Sequence, residues 1–278
     1  MASGSSGVID TGPFYLQAGA TGCLLLHGFT ATPYDMRFLA DGMHASELSV
    51  CAVCLPGHAT TPEDMAEHSW RQWYEGACEG LAQLRQSASR VVVVGQSMGA
   101  LLALKLAAEH PEEVAGVVLL STALVASARW MYWVTPIIPY LLPWLPAAAR
   151  FVVKGESDIA DLEARATSPT YRRVAVRSIY ELFQLQADVR PLLSRIHQPA
   201  LIVHSRQDHA CSLENVSILE KELRGAIHSV ILDDSYHVIS VDVDKERVAQ
   251  EILSFVRRIA ADEAADASGD ATPTPQNG

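Results

Sequence analysis

Positive charge is what this 278-residue chain is short of: 21 lysines and arginines stand against 32 aspartates and glutamates, a formal net charge of −11. A surface of that sign repels polyphosphates and anionic lipid, so neither nucleic acid nor an anionic membrane surface is an expected partner. Cysteine is sparse too. The five thiols, Cys23, Cys51, Cys54, Cys78 and Cys211, are odd in number and scattered. Cys51-x-x-Cys54 lies in an apolar run ahead of Pro56-Gly57, and no second C-x-x-C or H-x-x-x-H accompanies it, so the pair reads as strand core and not as a zinc or redox motif. The opening MASGSSG has no basic residue and no apolar stretch. No signal peptide is therefore expected, and free thiols fit a cytoplasmic protein. The aromatic, apolar stretch Trp130 to Trp144 is broken by Pro136, Pro139 and Pro143, with Pro146 just beyond, which excludes a regular spanning helix. It reads as a lid over an apolar site, ahead of membrane attachment or a plain buried insertion, and no stable membrane insertion is expected.

What is present is an ordinary enzyme composition, 49% hydrophobic and 19% charged, long enough to bury a substantial core. Strand and helix signals alternate. Strands are expected at Phe14 to Gln17, Cys23 to Leu26, Val50 to Leu55, Val91 to Val94 and Val114 to Ser121; helices at about 33–46, from Trp70 to Ser87 and from Met98 to His110. Thr61 to Ser69 reads as loop. From Ala123 to about Arg195 no central strand is evident, after which the alternation resumes with a strand at Ala200 to Ser205, a helix at Glu214 to Leu223, a strand at His228 to Leu232 and a closing helix from about Asp244 to Ile259. The pattern predicts a mostly parallel sheet with helices on both faces. The expected division is a disordered N-terminus over 1–10, a core over 11–122 and 196–261, a cap over 123–195 and a disordered tail over 262–278.

The chemistry centres on Gly95-Gln96-Ser97-Met98-Gly99, a G-x-S-x-G between an apolar strand and a helix. A sharp strand-to-helix turn lifts a serine hydroxyl clear of the backbone, and flanking glycines let strand and helix approach. Ser97 is the candidate nucleophile. It requires a general base, and the base a carboxylate. In α/β-hydrolases, where this elbow occurs, the chain order is serine, acid, histidine, the last two in loops after late strands. Two loops match, Ser205-Arg206-Gln207-Asp208-His209 and Asp233-Asp234-Ser235-Tyr236-His237. Asp208 and His237 are the expected acid and base. Asp233 or Asp234 could replace Asp208, but they lie so near His237 in sequence that the usual geometry is harder to build. The oxyanion donors should be the backbone N–H of Met98 and one from His27-Gly28-Phe29-Thr30, with Phe29 the expected residue.

The loop at His27 to Thr30, the elbow, Asp208 and the run Ser235-Tyr236-His237-Val238-Ile239-Ser240-Val241-Asp242 resemble the α/β-hydrolase superfamily, most closely its small bacterial carboxylesterases and monoacylglycerol lipases, from about Phe14 to Arg258. The resemblance implies ester hydrolysis through an acyl-enzyme, no metal or organic cofactor, and a small helical cap inserted after the sixth strand. Tyr236 stands where many relatives have glycine, and Gln96 is a polar choice beside the nucleophile. Gln96, Trp130, Trp133 and Trp144 are the expected pocket residues, and the substrate a short- to medium-chain ester or a monoacylglycerol. The rival readings are a lactone, amide or carbon–carbon bond hydrolase on the same triad, and a non-catalytic binding protein of the same fold. Epoxide hydrolase and haloalkane dehalogenase are disfavoured, because their elbow carries aspartate. Oligomeric state is not encoded in any pattern found here.

Overall fold

The structure is a computed structural model that describes residues 9–269. Its centre is a seven-stranded sheet built from β1 (Phe14–Leu16), β2 (Thr21–Leu26), β3 (Ser49–Val53), β4 (Arg90–Gln96), β5 (Gly116–Leu120) and the two later strands β8 (Ala200–Ser205) and β9 (Ile227–Leu232). Between them, β6 (Phe151–Val153) and β7 (Arg173–Ala175) form a separate antiparallel ribbon. The order across the sheet is β1-β3-β2-β4-β5-β8-β9, with β1 antiparallel to β3 and every other pairing parallel.

Both faces of a parallel sheet are covered, so its strands are apolar throughout. In β4 the four valines are completely buried and alternate sides: Val91 and Val93 join Leu24, Leu26, Val117 and Leu119 in one core, while Val92 and Val94 join Cys23, Leu25, Val118 and Leu120 in the other. Each valine removed from water contributes about 1.5–3 kcal/mol. The helices are α1 (Arg37–His44), α2 (Pro62–Glu67), α3 (Trp70–Arg85), α4 (Met98–Glu109), the short α5 (Met131–Val134), α6 (Ile138–Leu141) and α7 (Leu162–Thr167), then α8 (Val176–Val189), α9 (Glu214–Glu222) and α10 (Lys245–Gly269). Trp73, Ala77, Leu81 and Leu84 of α3 and Leu185 and Val189 of α8 pack with α4 on one side; Leu39 and Met43 of α1 and Val248, Ile252, Phe255 and Val256 of α10 fill the other.

Three sequence expectations change. Residues 61–69 are not all loop, because α2 forms there. Thr61 caps it by accepting from the Asp64 N–H at 3.1 Å, Pro62 opens it and Glu63 and Asp64 occupy its first turn. With six residues and one buried side chain, Met65, it has no apolar period to read. The closing helix runs on to Gly269, so 262–269 are helical where a tail was expected, in keeping with the alanines of that stretch. Residues 1–8 and 270–278 lie outside the described residues. The chain leaves the sheet after the fifth strand and not the sixth, since only β1 precedes β2 among the described residues. All five cysteines are free thiols. Among the described residues no helix is long and apolar enough to cross a membrane.

Candidate active site

Ser97 sits between β4 and α4 with φ 56° and ψ −111°, in a region that non-glycine residues rarely occupy. The two flanking glycines make that turn possible. A Cβ on Gly99 would lie 2.0 Å from the Leu26 carbonyl oxygen, and one on Gly95 would lie 2.2 Å from the Gly99 carbonyl oxygen. Any side chain at either position would push the helix off the sheet. The serine is 8% exposed, so its hydroxyl is reachable from one side only. At the N-terminus of the 12-residue α4, Ser97 also stands at the positive end of a helix dipole.

Two loops from the far edge of the sheet converge on it. Asp208 follows β8 and His237 follows β9. His237 Nε2 is 2.9 Å from Ser97 Oγ, and His237 Nδ1 is 2.8 Å from Asp208 Oδ2. An ionised carboxylate only accepts, so Nδ1 carries the imidazole proton and Nε2 is left to accept from the serine hydroxyl. The Asp208 side chain is 1% exposed. Burial alone would raise its pKa, but the His237 ring, the Cys211 N–H at 2.7 Å and His204 outweigh that and hold it below the ordinary carboxylate range. Asp233, the alternative acid, is on the surface with Arg206 at 2.9 Å. No hydrogen bond or ion pair joins Asp234 to His237 among the described residues.

The third component is the turn after β2. A Cβ on Gly28 would lie 3.4 Å from the Ser97 Cβ, which places this turn against the nucleophile. Among the described residues neither the Phe29 nor the Met98 N–H donates to a protein acceptor, and both are available to an oxygen beside Ser97. His27, completely buried, fixes the base of the turn: its Nε2 accepts from the Leu55 N–H at 3.1 Å while Nδ1–H donates to the Gly28 carbonyl at 2.9 Å. Burial lowers its pKa to about 4, so it is a neutral structural bracket. The arrangement can move one proton between Ser97 and His237, and the Phe29 and Met98 N–H groups are without a protein acceptor among the described residues, a combination suited to acyl transfer.

Known proteins match this frame. The serine aminopeptidase S33 family, Hydrolase_4, matches residues 20–244. The chain belongs to that family. It is 31% identical over 252 residues to a thermostable monoacylglycerol lipase of Bacillus sp. (strain H-257), covering 89% of this chain and 95% of the relative. It is 24% identical to a carboxylesterase of Bacillus subtilis (strain 168), covering 91% and 98%. Among solved structures, that of the metagenome-derived lipolytic enzymes LipS and LipT superposes with a TM-score of 0.81 at 29% identity, covering 89% of this chain and 98% of that one. The monoacylglycerol lipase of Paleococcus ferrophilus shares the fold, at a TM-score of 0.75 and 18% identity over 89% and 98% of the two chains.

Within this Hydrolase_4 frame, four expected pocket residues stand elsewhere. Gln96 is 2% exposed and its Nε2 donates to the His237 carbonyl at 2.9 Å, so it ties the end of β4 to the histidine loop. Trp130, Trp133 and Trp144 are 65%, 85% and 86% exposed and point outward from the insertion. The prolines divide that stretch into single turns without a continuous apolar face; Tyr132 alone of its aromatics packs inward, edge-on to Phe183 at 4.7 Å, and only Thr135 is buried there.

The sequence reading missed several supporting groups. His204, buried in β8, lies 3.3 Å from Asp208 Oδ2 through the Nε2 that also donates to the Cys211 carbonyl at 2.9 Å. Asp158, from the insertion, accepts on its backbone carbonyl from the His237 and Val238 N–H groups at 3.0 and 3.1 Å, and its carboxylate pairs with His209 at 2.8 Å. Asp242 accepts backbone N–H bonds from Ala160, Asp161, Tyr236 and Val243 within 2.7–3.0 Å. Asp158 and the Asp242 bonds to Ala160 and Asp161 act between loops distant in sequence, and His204, four residues before Asp208, sits in an apolar strand where nothing local marks its ring as a partner.

Proposed function

We propose that this protein is an ester-cleaving serine hydrolase in which Ser97 is the nucleophile, His237 the general base and acid, and Asp208 the carboxylate that orients the imidazole. The observation that carries this is the unbroken relay of 2.9 and 2.8 Å from Ser97 through His237 to Asp208, beside the unengaged Phe29 and Met98 amides. His237 takes the Ser97 proton as the oxygen attacks the ester carbonyl, and the two amides hold the oxyanion. The protonated imidazole then gives its proton to the departing alcohol. Water attacks the acyl-serine with His237 again as base, and the acid is released with Ser97 restored. Every proton transfer is assigned to the chain's own groups, so no cofactor is invoked.

The substrate class is a monoacylglycerol or a simple ester of short to medium acyl chain, a reading supported by the monoacylglycerol lipase and carboxylesterase relatives. Residues 123–195 act as a cap, supported by the contacts of Asp158 with the histidine loop and of Tyr171 with the turn at Thr30. The five free thiols favour a cytoplasmic setting. Initial rates on p-nitrophenyl esters from acetate to palmitate and on 1-monoacylglycerols, with Ser97→Ala as control, test the reading. Turnover should peak at short or middle chains and fall at least ~10³-fold in the variant. Ser97-dependent turnover of amides alone would replace the esterase by a peptidase. No Ser97-dependent turnover on any ester would overturn it.

A further inference from the structure

The turn that carries Phe29 is closed by the Ala31 N–H donating to the Gly28 carbonyl at 3.2 Å, and its third residue, Thr30, has φ 64°. A positive φ at that position alone defines a type II turn, which favours glycine or asparagine. A β-branched residue there is strained, and the strain persists only if neighbours hold it. Here the holders all come from the insertion. Lys154, which follows β6, donates from Nζ to Thr30 Oγ1 at 2.6 Å and to Thr170 Oγ1 at 2.9 Å. Thr170 Oγ1 is 3.1 Å from Thr30 Oγ1 and 3.1 Å from the Thr30 carbonyl, and the Tyr171 N–H reaches the same carbonyl at 3.4 Å.

Lys154 is therefore the only charged group that grips the Thr30 side chain among the described residues. The Lys154–Arg172 backbone bond at 2.9 Å fixes its own place beside the β6–β7 ribbon. Behind the turn lies Asp35, 3% exposed, which faces the same ammonium electrostatically. Burial draws the lysine down to about 8 and the aspartate up to about 7, each opposed by the charge of the other. A half-buried cation bonded to two threonine hydroxyls fits a positioning task better than surface solvation does.

We propose that Lys154 is a positioning residue for the oxyanion hole: by holding Thr30 in its left-handed conformation it fixes the Phe29–Thr30 peptide, whose dipole lies next to the Phe29 N–H in the turn against Ser97. If Thr30 relaxes to negative φ, the turn passes toward type I and the Phe29–Thr30 peptide rotates by roughly 150°. The Phe29 carbonyl and the Thr30 N–H then swing round beside the Phe29 N–H, which itself belongs to the Gly28–Phe29 peptide, and change the field felt by an oxyanion bound there. This inference rests on the serine-hydrolase reading above.

The test combines Lys154→Met with a second substitution that removes the strain. Lys154→Met should lower kcat on p-nitrophenyl butyrate by about tenfold or more, a fraction of the loss of a whole oxyanion donor, with KM within about twofold. Adding Thr30→Gly, which adopts positive φ freely and keeps the Thr170 and Tyr171 bonds to its carbonyl, should recover most of that rate. Asp35→Asn with Lys154→Met removes both buried charges and supplies the folded background if the single variant melts early; it should show the same kcat loss and the same rescue. The rate of Ser97 labelling by a fluorophosphonate should follow kcat through the series. A wild-type kcat in Lys154→Met, or no rescue by Thr30→Gly in a background with wild-type melting, overturns the proposal. Labelling that responds to Lys154 without any ester turnover would instead remove the esterase reading and keep the positioning role, whereas labelling that ignores Lys154 would remove the role.

Discussion

A single amide shows how residue-level chemistry depends on what the side chain reaches. Gln96 precedes the nucleophile and is polar, which suggests a substrate contact, yet its Nε2 is bonded to the His237 carbonyl. It braces the base. Gln96→Leu should therefore lower kcat about three- to tenfold and leave KM on p-nitrophenyl butyrate within about twofold, since one neutral hydrogen bond of about 1 kcal/mol is lost without touching substrate. A raised KM at unchanged kcat would return Gln96 to the pocket. The same logic applies to Asp208, whose carboxylate is held ionised by two backbone N–H groups, His237 and His204. Residue type and position in a loop were legible for Ser97, Asp208 and His237; their partners were not, because Asp158 reaches the site from the insertion and His204, though only four residues before Asp208, lies in an apolar strand where nothing local marks its ring as a partner.

At the scale of elements, the insertion does two things with different parts of its length. Its later segment, from Lys154 to Tyr171, touches the turn at Thr30 and the loop at His237. Its earlier segment turns Trp133 and Trp144 to solvent at 85% and 86% exposure. Trp133→Ser and Trp144→Ser should each change stability by less than about 0.5 kcal/mol, measured by urea unfolding, and leave kcat/KM on p-nitrophenyl acetate within about twofold. A loss above about 2 kcal/mol, or a collapse of that kcat/KM, would put these rings back into a folded pocket. The aromatic content of the stretch was plain in the sequence. Its direction was not, because single turns between prolines have no period from which a buried face follows.

Across the whole molecule, stability should fall on the acid side. His27 is buried neutral, with its pKa lowered to about 4 by burial, and His58 and His204 are lowered chiefly by burial too. Between about pH 6.5 and 4 the unfolded chain takes up protons on these histidines that the folded chain refuses, so unfolding gains as pH falls. For His27 alone this is on the order of 3 kcal/mol by pH 4. Asp208 adds to it, because a depressed carboxylate stabilises above its unfolded pKa and loses that contribution as pH drops through the folded one. Asp35 works the other way: its carboxyl, raised from 3.8 to about 7 by burial, favours the fold below pH 4 and loses that contribution as pH rises toward 7. With three histidines against it, melting temperature should decline from pH 6.5 to 4.5, and the loss from Asp208 joins only below about pH 4. A flat or rising profile would mean that these histidines are protonated in the fold.

The sequence by itself determined the strand–turn–helix elbow, the parallel sheet and the candidate set Ser97, Asp208 and His237, because each is written in local residues: valine runs, paired glycines, apolar periods and the loops that follow them. Asp208 was separable from Asp233 and Asp234 only because those two lie so near His237 in sequence that the usual geometry is harder to build. The side on which the tryptophans stand, the role of Gln96 and the grip of Lys154 on Thr30 were decided by tertiary structure alone. Those features depend on contacts between segments up to 141 residues apart, and no local pattern of side chains specifies which distant group will fill a neighbouring site.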